Sequence, residues 1–181
     1  MEKTLRNRVK RLSREAAFIL LTLVSAVLLP QILHRAGVYF GVGAALGQML
    51  LPMYLPVMII GFYRGIIPGA IVGLLAPIAS FYTTGMPAAV LLPYITVELV
   101  MTGALAGAFS RLKIFPLFRV LLVQLSAKAV RLTVFASIEI CLNGTVSASA
   151  LFAGILTSVP GLILQLVLLT LLLWRRDKRD A

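Results

Sequence analysis

The fold class predicted for this chain is an all-α integral membrane protein, a six-transmembrane-helix bundle with both termini cytoplasmic. Three observations lead there. Of the 181 residues, 60% are hydrophobic and only 13% are charged, and a mean hydropathy of +1.02 is more than a water-soluble domain of this length carries. The apolar residues fall into long runs separated by short polar or glycine-rich links. The bases gather outside those runs: Lys3, Arg6, Arg8, Lys10, Arg11 and Arg14 precede the first, and Arg175, Arg176, Lys178 and Arg179 follow the last.

A span takes about 20 apolar residues. The whole chain, 1–181, therefore reads as a single membrane domain with a basic N-terminal segment, 1–14, and a basic tail, 175–181, and any ATPase must be a separate polypeptide. Helix 1 is expected at 15–33. Its apolar run continues past Pro30 without a small-x-small cleavage pattern, which reads as a span rather than a cleavable signal. Helix 2, at 50–63, opens on Pro52 and Pro56 and is short. Helix 3, at 66–82, carries Pro68 and Pro77; helix 4, at 89–110, starts near Pro93. Helix 5 is expected at 115–142 and helix 6, interrupted by Pro160, at 148–174. An interior proline frees a carbonyl, which is costly in hydrocarbon unless protein or a cavity satisfies it. These breaks lie mostly toward the outer half, where a cavity is expected.

Six spans place both termini on one side, and the basic ends assign that side to the cytoplasm. Arg64, Arg111, Lys113 and Arg119 then fall in or beside inner loops, while the outer loops, 34–49, 83–88 and 143–147, hold Arg35 as their one strong base. The net charge of +11 thus faces anionic lipid of the bilayer, not nucleic acid. The link 34–49, rich in glycine, is expected to dip into the protein. Asn143-Gly144-Thr145 matches a glycosylation sequon and reads as a turn before helix 6.

Gly61, Gly65, Gly69 and Gly73 recur at a spacing of four. On one helix that spacing makes a bare stripe along which another helix can approach backbone to backbone. Its expected role is helix packing or subunit docking.

Catalytic chemistry finds little support. His34 has no second histidine or carboxylate at ligand spacing, Cys141 is the one cysteine, and no nucleophile-elbow, zinc-protease or phosphate-loop motif occurs. No enzymatic activity, metal or cofactor is expected. Four ionisable residues lie within expected spans, Glu98, Lys128, Arg131 and Glu139, and buried charge in a bilayer marks a functional interior. Glu98 is about nine residues inward from the outer start of its helix and Arg131 about eleven, so at about 1.5 Å per residue they share one level. They are expected to pair or to form a shared ligand clamp. Lys128, one turn below Arg131, is expected to reach toward the cytoplasm, and Glu139 to be hydrated near the outer end. Gln48, Tyr54, Tyr82, Thr83, Thr84, Tyr94 and Asn143 flank the outer helix ends, with Met49, Met53 and Met86 between them. With Glu98 and Arg131 beneath, they would stack a small planar molecule and fix it by a few polar contacts. Gln165, in helix 6, is a further buried candidate.

Two stretches carry a resemblance to a known family. One is Gly47-Gln48-Met49-Leu50-Leu51-Pro52-Met53-Tyr54-Leu55-Pro56-Val57, running on through the glycine stripe to Pro77. The other is Gly85-Met86-Pro87 followed by Val97-Glu98-Leu99 and Gly103-Ala104-Leu105-Ala106-Gly107. In these the chain resembles the S component, the substrate-binding membrane subunit, of energy-coupling-factor (ECF) vitamin transporters. The resemblance implies six helices that bind a vitamin or precursor near the outer face, with transport driven by a transmembrane coupling subunit and two ABC-type ATPases. It leaves the substrate open between an acidic, niacin-like compound and a neutral planar one such as a benzimidazole. The alanines four apart that the family often shows on helix 1 are not repeated here; Ala17, Ser25 and the glycine stripe are expected to supply a smooth docking face instead. Two other readings are a self-sufficient secondary transporter with Glu98 as proton carrier and a structural cell-shape protein. The first commonly shows internal repeats, and none is evident between 1–90 and 91–181.

Overall fold

The computed structural model describes residues 2–41, 50–143 and 148–180. Its regular elements are α1 (Glu2–Tyr39), α2 (Tyr54–Arg64), α3 (Ile66–Thr84), α4 (Leu92–Phe109), α5 (Pro116–Asn143) and α6 (Ala148–Asp180). All regular structure among the described residues is helical, and α1, α3, α4, α5 and α6 each contain a stretch long and apolar enough to cross a membrane. α2 does not. Its 11 residues extend about 16 Å at about 1.5 Å per residue, roughly half of a hydrocarbon core about 30 Å thick. The helix expected from residue 50 begins only at Tyr54, because Pro52 and Met53 form a turn after Leu51, whose φ is +46°.

α1 runs well beyond the expected 15–33, and α6 continues through the basic tail. Hydropathy marks where a membrane ends, not where a helix ends. Lysine and arginine are good helix formers, so the helix outlasts the apolar stretch at both chain ends.

The short α2 is nonetheless at the centre. Tyr54, Pro56, Val57, Met58, Ile60, Gly61 and Phe62 are all buried, and the helix packs against α1, α3, α4 and α6. α4 packs against α2, α3 and α5, while α6 leans chiefly on α5. The outward faces are apolar: Leu20, Leu21 and Leu28 on α1 and Ile163, Val167 and Leu171 on α6 are exposed. Acyl chains solvate such faces as well as another protein would.

The four glycines do not form one stripe on one helix. Gly61 belongs to α2, Gly69 and Gly73 to α3, and Gly65 is the hinge between them at φ +99°. That backbone conformation disfavours a side chain even though a Cβ at Gly65 would meet open space. The hinge folds α3 back beside α2 and leaves a notch, which α4 fills with its own small residues. A Cβ at Gly61 would lie 2.5 Å from the Gly103 carbonyl oxygen and 2.7 Å from Ala106 Cβ. A Cβ at Gly69 would strike the Gly103 carbonyl, one at Gly73 the Leu99 carbonyl, and one at Gly107 the backbone of Gly65 and Ile66. Backbone-to-backbone contact of this kind is how membrane helices gain dispersion energy without a hydrophobic driving force. The stripe is used up inside the bundle. Gly61, Gly69 and Gly73 therefore serve helix packing, only Gly65 of the four meeting open space, and of the other expected docking residues Ala17 is exposed while Ser25 is half-buried with its hydroxyl on Leu21 O at 2.8 Å.

Polar contacts tie one end of the bundle together. Arg64, at the end of α2, reaches Glu15 of α1 at 2.6 Å and lies over the Phe18 ring at 4.5 Å. Arg176 of α6 donates to the Phe62 carbonyl at 2.8 Å, one of the last carbonyls of α2 that no helical N–H can satisfy. Arg119 of α5 joins Asp177 of α6 and donates to Ser110 O at 3.3 Å. The start of the apolar part of α1, the α2–α3 hinge, the α4–α5 link and the last turns of α6 therefore share one end.

Candidate functional site

At the other end the helices do not close. A cavity of ≈190 Å³ lies among Pro30, Gln31 and His34 of α1, the irregular approach Leu51-Pro52-Met53 with Tyr54, Ser80 of α3, Met86 and Pro87 of the α3–α4 link, and Ile95 of α4. Each side chain is there for a local reason. Pro30, Gln31 and His34 fall within about one turn of α1 and so share a face. The turn at Pro52 and Met53 delays α2 and turns Tyr54 inward, where it is 6% exposed. Gly85 ends α3 in a left-handed conformation, its N–H bonded to Phe81 O, and the chain turns there to bring Met86 and Pro87 across the opening.

The wall is almost wholly apolar, with His34, Gln31 and Ser80 as its few polar groups. This is the usual make-up of a small-molecule site, though its volume is below the roughly 300–1,000 Å³ of drug-sized ligands. A ligand of one or two rings fits that size.

Beneath the cavity is an ionic cluster. Glu98 on α4 is fully buried. Arg131 Nη1 of α5 donates to its Oε2 at 3.0 Å, and Lys128 Nζ lies 2.6 Å from its Oε1. The lysine contact is an ion pair without hydrogen-bond alignment. Tyr54 joins the two levels: it lines the cavity above and the small void beside Glu98 below, and Lys128 Nζ stands 5.4 Å from its ring centroid. One turn outward, Tyr94 packs on Phe135 with ring centroids 5.3 Å apart. Thr102 turns its hydroxyl back to Glu98 O at 2.7 Å.

Gln165 of α6 completes this centre. Its amide donates to Leu51 O at 3.0 Å and to Leu50 O at 3.3 Å, pinning the irregular segment that leads into α2. The void left between Tyr54, Glu98, Lys128 and Gln165 is only ≈10 Å³, about the room one water needs. The ionic cluster is therefore the floor of the site and not a second pocket at this level.

The expected pairing of Glu98 with Arg131 is what the structure places there, and Lys128 is different from expectation. Its ammonium turns to Glu98 rather than toward the cytoplasm, because a carboxylate one interhelical gap away is nearer than water. The outer polar ring is only partly assembled. Tyr54 lines the cavity; Tyr82 is 82% exposed beside Phe81, in the position of an interfacial anchor. Thr84 is exposed with its hydroxyl on Ser80 O at 2.7 Å, and Tyr94 belongs to the α4–α5 contact. Gln48 and the Asn143 side chain lie outside the described residues. Gln31, His34 and Ser80 were not anticipated as lining residues. The one signal for the first two was their spacing of three on the turn after Pro30.

Among the described residues no group of histidine, cysteine and acidic side chains could hold a metal. No family model, curated protein or solved structure matches the chain.

Proposed function

We propose that this chain is the substrate-binding subunit of an ECF-type ABC importer, which takes up a small vitamin or vitamin precursor across the cell membrane of a prokaryote. The ≈190 Å³ apolar cavity at one end of the bundle, floored by Tyr54 over the Glu98–Lys128–Arg131 cluster, is the observation that carries this reading. Its size suits a one- or two-ring planar heterocycle. In this reading the chain crosses the membrane six times, α2 together with the segment before it making the short second crossing. Both termini are cytoplasmic, which agrees with the basic clusters at both chain ends. The cavity then opens outward. A transmembrane coupling subunit and two ABC-type ATPases supply the energy, and the chain itself hydrolyses nothing.

The test is purification of the tagged chain from its native membrane in mild detergent. A coupling subunit and an ATPase pair should accompany it, and a cysteine at Thr84 should react in whole cells with an impermeant thiol reagent. Concentrative uptake by this chain alone in liposomes under a proton gradient would replace the importer reading with that of a secondary transporter.

A further inference from the structure

The outer cavity offers a ligand polar groups but no counter-ion. Gln31, His34 and Ser80 stand among its apolar walls, and among the described residues no carboxylate, ammonium or guanidinium lines it. The stretches 42–49 and 142–155 contain no acidic, basic or histidine residue, so neither adds a charge to it. Arg35 of α1 is exposed and does not belong to the lining. The two bases beneath are committed to Glu98, Lys128 Nζ at 2.6 Å from Oε1 and Arg131 Nη1 at 3.0 Å from Oε2. Tyr54, which lines both the cavity and the small void at that cluster, stands between them and any occupant. A carboxylate brought into the cavity would therefore exchange water for apolar walls with no cation to meet it, whereas an uncharged ring gives up only the hydration of its heteroatoms.

Ser80 supplies a partner for one such heteroatom. The hydroxyls of Thr83, Thr84, Thr96 and Thr102 each turn back to a carbonyl one turn earlier, at 2.7 Å. The hydroxyl of Ser80 makes no hydrogen bond among the described residues, although Ser80 is 1% exposed and lines the cavity. A buried hydroxyl is costly to leave unbonded, and an occupant of the cavity is placed to bond it.

We propose that the outer cavity takes an uncharged heteroaromatic compound of one or two rings, and that Ser80 bonds a nitrogen or carbonyl on its edge. With the cavity as the ligand site of the importer reading, on which this rests, Tyr54 and Met86 supply apolar faces for the ring and the Ser80 hydroxyl fixes its orientation. Acids are turned away because no cation meets them.

Titration calorimetry of the purified chain in an uncharged detergent tests both parts. The probes are two matched pairs, nicotinamide against nicotinate and benzimidazole against benzimidazole-5-carboxylate, at a mildly alkaline pH where both parent rings are uncharged. Each uncharged member should bind at least about tenfold more tightly than its carboxylate. His34→Gln, which removes the lining group able to take up a positive charge, should keep that preference. Ser80→Ala should weaken benzimidazole by about threefold to tenfold, the range of one neutral hydrogen bond. It should leave the affinity for indene, the same outline without nitrogen, unchanged and melt no lower than the wild type. A carboxylate that binds as tightly as its uncharged partner, in either the wild type or His34→Gln, would overturn the uncharged class while leaving the cavity as the site. An unchanged benzimidazole affinity in Ser80→Ala, or an equal loss for benzimidazole and indene, would overturn the role of Ser80. No binding of any probe at millimolar concentration would overturn the cavity as a ring site, and with it the class of its ligand.

Discussion

At the α2–α3 hinge, Gly61, Gly69 and Gly73 bring two helices against the backbone of Gly103 and Leu99 with no room for a methyl group; at the opposite end, Pro30, Pro52, Pro87 and Met86 hold the same helices apart around ≈190 Å³. Small residues seal one end, and prolines keep the other open. The contrast separates two uses of sequence. Glycine at a spacing of four removes volume so that carbonyl and Cα surfaces touch. Proline removes an N–H and stops neighbouring turns from closing, which leaves space that only a ligand, or an aromatic floor such as Tyr54, can fill.

The largest effect that can break this contrast is expected at the sealed end. Gly103→Leu drives a side chain into the backbone of Gly69, and overpacking typically costs about 1–3 kcal/mol and occasionally more, the upper end applying where the obstacle is backbone. The variant should fail to give a monodisperse folded protein by size-exclusion chromatography. Ala108→Leu, on the exposed side of the same helix, should behave as wild type. A folded Gly103→Leu would mean that the notch is looser than described.

Next comes the ionic floor. Glu98→Gln leaves the buried Lys128 and the half-buried Arg131 without a counter-charge, and breaking a buried pair costs about 3–5 kcal/mol. Thermal denaturation in one detergent should show a clear drop. The combined change Glu98→Leu, Lys128→Met and Arg131→Met should recover most of it, since well-packed apolar replacements of buried ions are often neutral.

The open end gives a smaller effect, seen in binding more than in stability. Tyr54→Ala removes the cavity floor and should weaken the ligand that copurifies with the chain by at least about tenfold, or about 1.4 kcal/mol. Titration calorimetry reads this directly, and Tyr82→Ala, whose ring points outward, should leave the affinity unchanged. The hinge itself should affect stability and leave ligand affinity unchanged. Gly65→Ala meets no atoms and should cost only the strain of φ +99° with ψ −170°, a region nearly confined to glycine, about 1–3 kcal/mol, read by thermal denaturation.

What could be read in the sequence follows the same division. The apolar runs located α3, α4 and α5 to within a few residues, since about 20 apolar residues have few alternatives to a membrane helix. The extensions of α1 and α6 were hidden because hydropathy is silent about helix in water. Glycine spacing announced a close contact but not its partner. Nothing local to Gly61, Gly69 and Gly73 says that they lie on two helices, or that Gly103 and Gly107 fill the notch. Glu98 and Arg131 could be matched by counting depth along two helices. Lys128 could not, because at one turn away the choice between carboxylate and interface depends on helix rotation, which periodicity in a nearly uniform apolar face does not set. His34 joins Gln31 at the cavity only because α1 continues as helix past residue 33, where its expected span ended.

The most direct test of the outer cavity as a ligand site is mass spectrometry of small molecules released from the wild-type chain and from Met86→Trp, which places an indole across the opening without touching the ionic floor. A one- or two-ring heterocycle should be recovered from the wild type and lost from Met86→Trp at an unchanged melting temperature. No bound small molecule in the wild type, or the same molecule at the same occupancy in both proteins, would contradict the assignment of that cavity as the binding site.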